Sequence, residues 1–133
     1  ARMKKVEDAG TGVQLVVIDK ASGRAIGSCL LFRLEPASAR AELGYVLGRQ
    51  SWGQGLMHEA LVALISHAFG TLGLRRLEAE VNPLNAASCR LLERLGFRNE
   101  GLLRQRWSAK GVVYDTRFYG LLREEWASPP APR

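Results

Sequence analysis

The chain has 133 residues, of which 47% are hydrophobic and 24% are charged, and its formal net charge is +6. This length suits one domain with its own core and is too short for two, and the composition is that of a folded globular protein. No apolar run approaches about 20 residues and no signal-peptide pattern opens the chain, so we expect no membrane association.

Charge and cysteine content narrow the possible functions. The 19 basic residues are interleaved with 13 acidic ones. No Lys/Arg block appears, so we expect no nucleic-acid partner, although a basic balance also suits a polyanionic small molecule. Cys29 and Cys89 form neither a metal-ligand spacing nor a disulfide framework. We therefore expect reduced core thiols, no metal site and a cytoplasmic protein.

The chain is predicted to begin with the end of a helix and to continue as antiparallel strands. Residues 1–12 are polar and without clear period, and we interpret them as the frayed end of a helix. Residues 13–18 and 25–34 are predicted strands of a hairpin with a turn at 20–23. Residues 41–47 form a third strand, whose alternation places Glu42 beside Gly44 and predicts a hole next to an acid.

Helical periodicity begins at residue 56 and runs to 69, with the predicted apolar stripe Met57, Ala60, Leu61, Leu64, Ile65, Ala68 and Phe69. Residues 74–81 alternate as a strand, so this helix is expected to cross over between two parallel strands. A second helix, capped by Asn85 or a neighbour, runs to residue 95, and strands at 101–108 and 112–121 follow.

The predicted fold is therefore α/β, in the order β-β-β-α-β-α-β-β. The sheet is mixed and mostly antiparallel, with a central parallel strand pair and flanking helices. We expect a single domain over residues 1–126 and a disordered, proline-containing tail at 127–133.

The junction before the first helix reads Gln-Ser-Trp-Gly-Gln-Gly over residues 50–55. Glycine in a helix costs roughly 0.8–1 kcal/mol relative to alanine, so two of them at a helix start need a reason. Without a Cβ atom, backbone N–H groups can approach an anion closely, and a helix N-terminus adds positive partial charge. The stretch therefore predicts a phosphate cradle.

These residues resemble the Gcn5-related N-acetyltransferases (GNAT), most closely the RimJ/RimL-like branch that acetylates ribosomal proteins. The acetyl-CoA signature of that family, Gln/Arg-x-x-Gly-x-Gly/Ala, matches residues 50–55. A second signature is matched at Asn82, Asn85, Ser88, Leu91, Gly96 and Phe97. The resemblance covers roughly residues 13–126 and implies the GNAT-like form of the predicted fold.

The resemblance also implies how acetyl-CoA is held. Backbone N–H groups of the cradle would bind the CoA pyrophosphate, Asn85 would contact the pantetheine–phosphate arm, and a backbone N–H near Leu47 would polarise the thioester carbonyl. A ligand-free turn is the alternative for the cradle, and a plain N-cap is the alternative for Asn85. The implied cradle residues are Gln50, Gly53, Gln54, Gly55 and Leu56.

Two residues are candidates for the chemistry. Glu42 is the candidate general base, acting through water, or else a contact for a cationic acceptor; its alternative is a strand-edge salt bridge. Ser88, one turn beyond Asn85, is implied to protonate the leaving CoA thiolate, and its alternative is a small polar residue facing the sheet.

The predicted function is acetyl transfer from acetyl-CoA to a primary amine by direct attack, with a protein N-terminus or a small-molecule amine as acceptor. The alternative is a non-catalytic acyl-CoA-binding or regulatory module. A dinucleotide-binding domain is disfavoured because no acidic ribose-binding residue ends the strand after the cradle.

Members of the branch carry a strand and two helices before the segment at which this sequence starts. We therefore expect an N-terminally incomplete domain that binds CoA but acetylates poorly. A missing edge strand also predicts an exposed sheet edge and pairing with another copy as a homodimer.

Overall fold

The computed structural model describes residues 2–9, 12–48 and 55–126. The chain divides into two compact units, Ala1–Arg75 and Arg76–Arg133. The predicted tail at 127–133 and residues 50–54 of the predicted cradle lie outside the described residues. The expectation of a single domain over residues 1–126 stays a prediction.

The first unit contains four strands followed by a helix. They are β1 (Arg2–Ala9), β2 (Gly12–Ile18), β3 (Ala25–Glu35), β4 (Arg40–Leu47) and α1 (Leu56–Gly70). Each strand pairs with the next in antiparallel fashion. In the β2–β3 turn, the Asp19 carboxylate accepts hydrogen bonds from Ala21 N at 3.2 Å and Ser22 Oγ at 3.0 Å. The predicted hairpin is thus confirmed.

The N-terminal residues are a strand, and the frayed helix end that we expected there is wrong. β1 pairs along β2 from Arg2 opposite Ile18 to Ala9 opposite Gly12. Backbone hydrogen bonds along β2 define this strand, which explains why the sequence shows no apolar period there. The edge that we expected β2 to expose is therefore covered by β1.

Helix α1 matches the predicted stripe, since all seven of its predicted apolar positions are buried. The helix packs on β3, where Cys29 and Leu31 are also buried. It stops at Gly70, and Gly73 follows in a left-handed conformation with φ of 69°. This burial is the main source of stability for a helix of this length.

The second unit contains β5 (Arg76–Val81), α2 (Ala86–Arg94), β6 (Arg98–Ala109), β7 (Val112–Leu122) and the short α3 (Arg123–Trp126). β7 pairs with both β5 and β6 and is antiparallel to each. The predicted inward positions of α2, Cys89 and Leu92, are buried, as is Leu95 just beyond it. Gly96, with φ of 96°, ends the helix as predicted, and Phe97 N donates to Leu92 O at 3.0 Å.

Two further elements differ from prediction. Helix α3 was not predicted; the Glu125 carboxylate accepts from Leu122 N at 2.8 Å where β7 ends and α3 begins. β6 is longer than expected and contains a bulge between Leu103 and Trp107. The observed order therefore adds one strand at the start and one short helix at the end to the predicted order.

Candidate active site

Gly55 sets the start of α1. Its φ of 70° and ψ of 7° are left-handed, a conformation that favours glycine over other residues. A Cβ atom there would meet nothing within 4 Å, so glycine is needed for its backbone angle rather than for space. No side chain caps this helix, and Glu59 N donates to Gly55 O at 3.1 Å. The remaining predicted cradle residues, Gln50, Gly53 and Gln54, lie outside the described residues.

Glu42 lies on β4 opposite Phe32 of β3 and is a buried charged residue, 8% exposed. Its Oε1 atom accepts from Arg33 Nη1 at 3.0 Å. The alternative role of Glu42, a salt bridge, is thus present. The roles of base and acceptor contact stay predictions, and they require the acceptor or its water to compete with Arg33.

The expected hole beside Glu42 is wrong, because neighbouring side chains fill the space over Gly44. A Cβ atom at Gly44 would lie 3.1 Å from Phe32 Cε1 and 3.3 Å from Leu30 Cδ2. Directly opposite residues in an antiparallel pair share a face of the sheet, and Leu30 is opposite Gly44. The missing side chain at Gly44 makes room for Phe32 and Leu30, which occupy the space that we expected to be open.

A glycine that the sequence did not single out fixes the end of β4. Gly27 lies opposite Leu47, and a Cβ atom at Gly27 would collide with the carbonyl oxygen of Val46. Next to it, Gly48 N donates to Ile26 O at 2.7 Å. Close backbone approach at Gly27 therefore positions Leu47, the residue whose N–H we expected to face the thioester. A lone glycine within a strand is the signal that could have identified it.

The start of α2 brings two predicted residues together. Asn85 is the N-cap, and its Oδ1 atom accepts from Ser88 N at 3.1 Å. The preceding turn is held by Asn82, whose Oδ1 atom accepts from Leu84 N at 3.0 Å. The capping role of Asn85 is confirmed, and its amide nitrogen, with two N–H donors, is at the other branch of the side chain. Ser88 is half-buried one turn further on.

A polar cluster holds α2 against β7. The Tyr119 hydroxyl donates to Glu93 Oε2 at 2.8 Å, and Arg117 Nη1 donates to Cys89 Sγ at 3.5 Å. Burial is the main reason that the pKa of Tyr119 is raised to about 12. This cluster was not predicted, because its bonded partners are 26 and 28 residues apart in the sequence and match no motif.

The predicted residues fall into two groups. Glu42, Leu47, Gly55 and Leu56 belong to the first unit, whereas Asn85 and Ser88 belong to the second. Burial raises the pKa of the Cys29 thiol to about 11, so it is protonated near neutral pH and is a poor nucleophile. Among the described residues, no three His, Cys, Asp or Glu side chains are placed to hold a metal ion. None of the described helices is long and apolar enough to cross a membrane.

Comparison with known proteins gives the family. The acetyltransferase (GNAT) domain family matches residues 1–98. The uncharacterized N-acetyltransferase p20 of Bacillus licheniformis is 41% identical over 118 residues, which cover 89% of this chain and 66% of that protein. The ribosomal protein uS5-alanine N-acetyltransferase of Escherichia coli is 37% identical over 84 residues, which cover 63% of this chain and 43% of that protein. This chain thus spans less than two thirds of the length of both curated relatives.

The solved structures agree on the fold. A chimera of the spermidine N-acetyltransferase SpeG from Vibrio cholerae and hSSAT superposes with a TM-score of 0.82. The superposed part covers 90% of this chain and 71% of the chimera. Its sequence identity of 21% supports the fold alone, and the predicted α/β fold class is confirmed. With the family match over residues 1–98, the chain belongs to the GNAT acetyltransferase family, as its two signatures predicted.

Proposed function

We propose that this chain binds acetyl-CoA and transfers its acetyl group to a primary amine by direct attack. The observation that carries the proposal is the family match over residues 1–98, because that segment includes Glu42, the cradle sequence, Asn85 and Ser88. Its named relatives are N-acetyltransferases. The two buried thiols agree with a reducing, cytoplasmic setting for the protein.

The starts of the two helices supply the groups for the donor. The left-handed Gly55 opens α1 with a helix N-terminus whose positive partial charge suits the CoA pyrophosphate. Leu56 and the cradle residues Gln50, Gly53 and Gln54 would supply the backbone amides. At the start of α2, the side-chain amide of Asn85 would donate to the pantetheine–phosphate arm, and the amide near Leu47 would face the thioester carbonyl.

The attacking amine must be neutral, which defines the role proposed for Glu42. A protein α-amino group, with a pKa of about 7.7–8.0, is partly neutral near pH 7, whereas a lysine amine at about 10.4 is almost wholly protonated. Glu42 would take the proton through water, an effect typically worth about 10²–10⁴-fold. The Ser88 hydroxyl would protonate the departing CoA thiolate, with modest benefit because a thiolate is already a fairly stable leaving group.

Direct attack is preferred to a covalent enzyme intermediate. The raised pKa and complete burial of Cys29 make it unsuitable as a nucleophile. Cys89 is also buried, and its sulfur accepts from Arg117. The acceptor is a protein N-terminal amine or a small-molecule amine; the relative from Escherichia coli acts, by its name, on an alanine of ribosomal protein uS5.

The proposal is tested in two arms on the same 133-residue chain. Calorimetry measures the affinity for acetyl-CoA, and thiol release at high protein concentration measures turnover against N-terminal peptides and amines. We expect Glu42→Gln to leave the affinity unchanged and to lower turnover about 100-fold, with a smaller loss for Ser88→Ala. Glu124→Gln and Ser108→Ala, at exposed positions, are the matched controls.

Absence of acetyl-CoA binding by the unaltered chain would overturn the proposal. Binding without turnover for any acceptor would instead favour the non-catalytic acyl-CoA-binding module. Turnover that is slow but measurable, together with binding of acetyl-CoA, would support the proposal.

A further inference from the structure

A β-bulge next to Glu42 redirects one arginine. Phe32 pairs with Glu42 and Glu35 pairs with Arg40, so two residues of β3, Arg33 and Leu34, face a single residue of β4. Arg33 adopts a left-handed φ of 52°, a strained conformation for a residue with a Cβ atom. Such an outlier in a strand next to a buried acid requires an explanation.

The bulge changes which face of the sheet Arg33 occupies. In a regular ladder Arg33 would lie opposite Ala41, which is only 2% exposed, and its guanidinium would enter the core. With the bulge, the guanidinium instead reaches Glu42 at 3.0 Å and lies 5.5 Å from the centre of the Phe32 ring. The bulge thus places the Arg33 guanidinium within ion-pair distance of the buried Glu42 carboxylate.

The two partners differ in exposure. The Arg33 side chain is 59% exposed and that of Glu42 is 11% exposed. A buried carboxylate needs a cation or hydrogen-bond donors, whereas an exposed guanidinium stays hydrated with or without the carboxylate. Arg33 is therefore the partner that a ligand cation can replace.

We propose that Arg33 is a specificity-determining residue, which holds the place at Glu42 that a positively charged acceptor would otherwise take. This inference rests on the proposed function, in which Glu42 faces the acceptor. A polyamine keeps at least one ammonium group when its attacking nitrogen is neutral, and Arg33 both repels that charge and occupies Oε1 of Glu42. A monoamine or a peptide N-terminus carries no second ammonium group at this point. Arg33 thus directs the site toward acceptors with one amine.

The test uses binding, with spermidine as the polyamine probe and propylamine as the monoamine. Calorimetry without acetyl-CoA, in about 0.05 M salt to limit screening, compares the unaltered chain with Arg33→Gly. Glycine suits the left-handed backbone, so this variant removes the cation without adding strain. Propylamine, whose single amine is protonated near pH 7, should gain up to about fivefold, the effect of one unit charge at about 4 Å in water. We expect spermidine to gain more than propylamine, because it carries further ammonium groups.

Three further variants make the result specific. Arg33→Lys keeps the charge and should retain most of the discrimination against spermidine. Arg24→Gln makes the same change in net charge at an exposed turn and should leave both affinities unaltered. The double variant Arg33→Gly with Glu42→Gln should lose the gain.

The inference fails if Arg33→Gly binds spermidine no more tightly than the unaltered chain, or if Arg24→Gln gives an equal gain. It fails equally if spermidine binds to none of these proteins. Because acetyl-CoA is absent from this assay, failure of the proposed function shows separately in the acetyl-CoA arm described above.

Discussion

Each unit contains an arginine–glutamate pair, and the two pairs differ in which partner is buried. Glu42 is buried and its partner Arg33 is exposed, whereas the Arg76 side chain is 18% exposed and that of Glu100 is 42% exposed. Arg76 also contacts both oxygens of Glu100, at 2.7 and 3.1 Å, and Glu78 at 3.0 Å. A two-pronged contact of this kind fixes the arginine. At Glu42 the arginine is instead the exposed partner, and its guanidinium is largely hydrated.

A glycine lies beside each pair, for different reasons. The space above Gly44 is filled by carbon atoms of Phe32 and Leu30, packed at 3.1 and 3.3 Å from where a Cβ atom would be. Above Gly120, the same position is 2.5 Å from Glu100 Oε2 and 2.7 Å from Arg76 Nη1. The space at Gly44 is thus occupied by packed apolar side chains, and the space at Gly120 by the charged ends of two flexible side chains. Alanine at Gly44 therefore tests apolar packing, and alanine at Gly120 tests the ion pair.

The largest effect is expected at Gly27, where a Cβ atom would meet the Val46 carbonyl, a backbone group that cannot turn aside. Gly27→Ala should separate β3 from the end of β4 and lower the free energy of unfolding by about 3 kcal/mol. Urea unfolding followed by circular dichroism measures it. Gly70→Ala is the control, because nothing lies within 4 Å of its added carbon. Equal stability of the two variants would contradict the close approach at Gly27.

Gly44→Ala should have a smaller effect, about 2 kcal/mol, because the Phe32 ring and Leu30 can each move by a few tenths of an ångström. Movement of Phe32 also shifts the ring that lies next to the Arg33 guanidinium. We therefore expect a loss of stability in urea unfolding together with altered side-chain resonances of Arg33 in NMR spectra. Stability equal to that of the unaltered chain would mean that the space over Gly44 is looser than described.

The sequence predicted helices α1 and α2 well and the arginine partner of Glu42 poorly. The period of α1 identified its buried face because each position depends on local spacing. Strand β1 was missed because it is defined by backbone pairing with β2. Arg33 was missed because simple alternation places it on the face opposite to Glu42, and only the bulge reverses that. For the candidate site, the sequence predicted the elements on which Glu42, Asn85 and Ser88 lie, whereas the arginine partner of Glu42 was not predicted.

Gly120→Ala is expected to cost about 1 kcal/mol or less, since the ends of Glu100 and Arg76 can move and alanine suits a strand better than glycine. The clearest effect of Gly120→Ala should be the loss of the contact between Glu100 and Arg76. The Glu100 pKa, measured by NMR titration, should return toward its ordinary value. In a double-mutant cycle with Glu100→Ala the two changes should be non-additive, and additivity would show that the clash lies elsewhere.

The smallest effect concerns acid pH and the Glu100 carboxylate, whose pKa is lowered chiefly by its hydrogen bonds to Arg76. A carboxyl whose pKa is lower when folded stabilises the protein above its unfolded pKa, and that stabilisation is lost as the pH falls through the folded pKa. Glu100→Gln cannot titrate. We therefore expect the variant to be less stable than the unaltered chain at pH 7, with the difference shrinking below about pH 4.5.

Urea unfolding at several pH values between about 7 and 3 measures this difference, and other carboxylates titrate equally in both proteins and cancel. High salt should reduce the difference at pH 7, because Glu100 is well exposed and exposed charges are screened. Glu124→Gln, at an exposed position in α3, should show no such dependence on pH. If the difference for Glu100→Gln stays constant down to pH 3, Arg76 is held by Glu78 rather than by Glu100. The two-pronged contact with Glu100 would then not be what fixes Arg76.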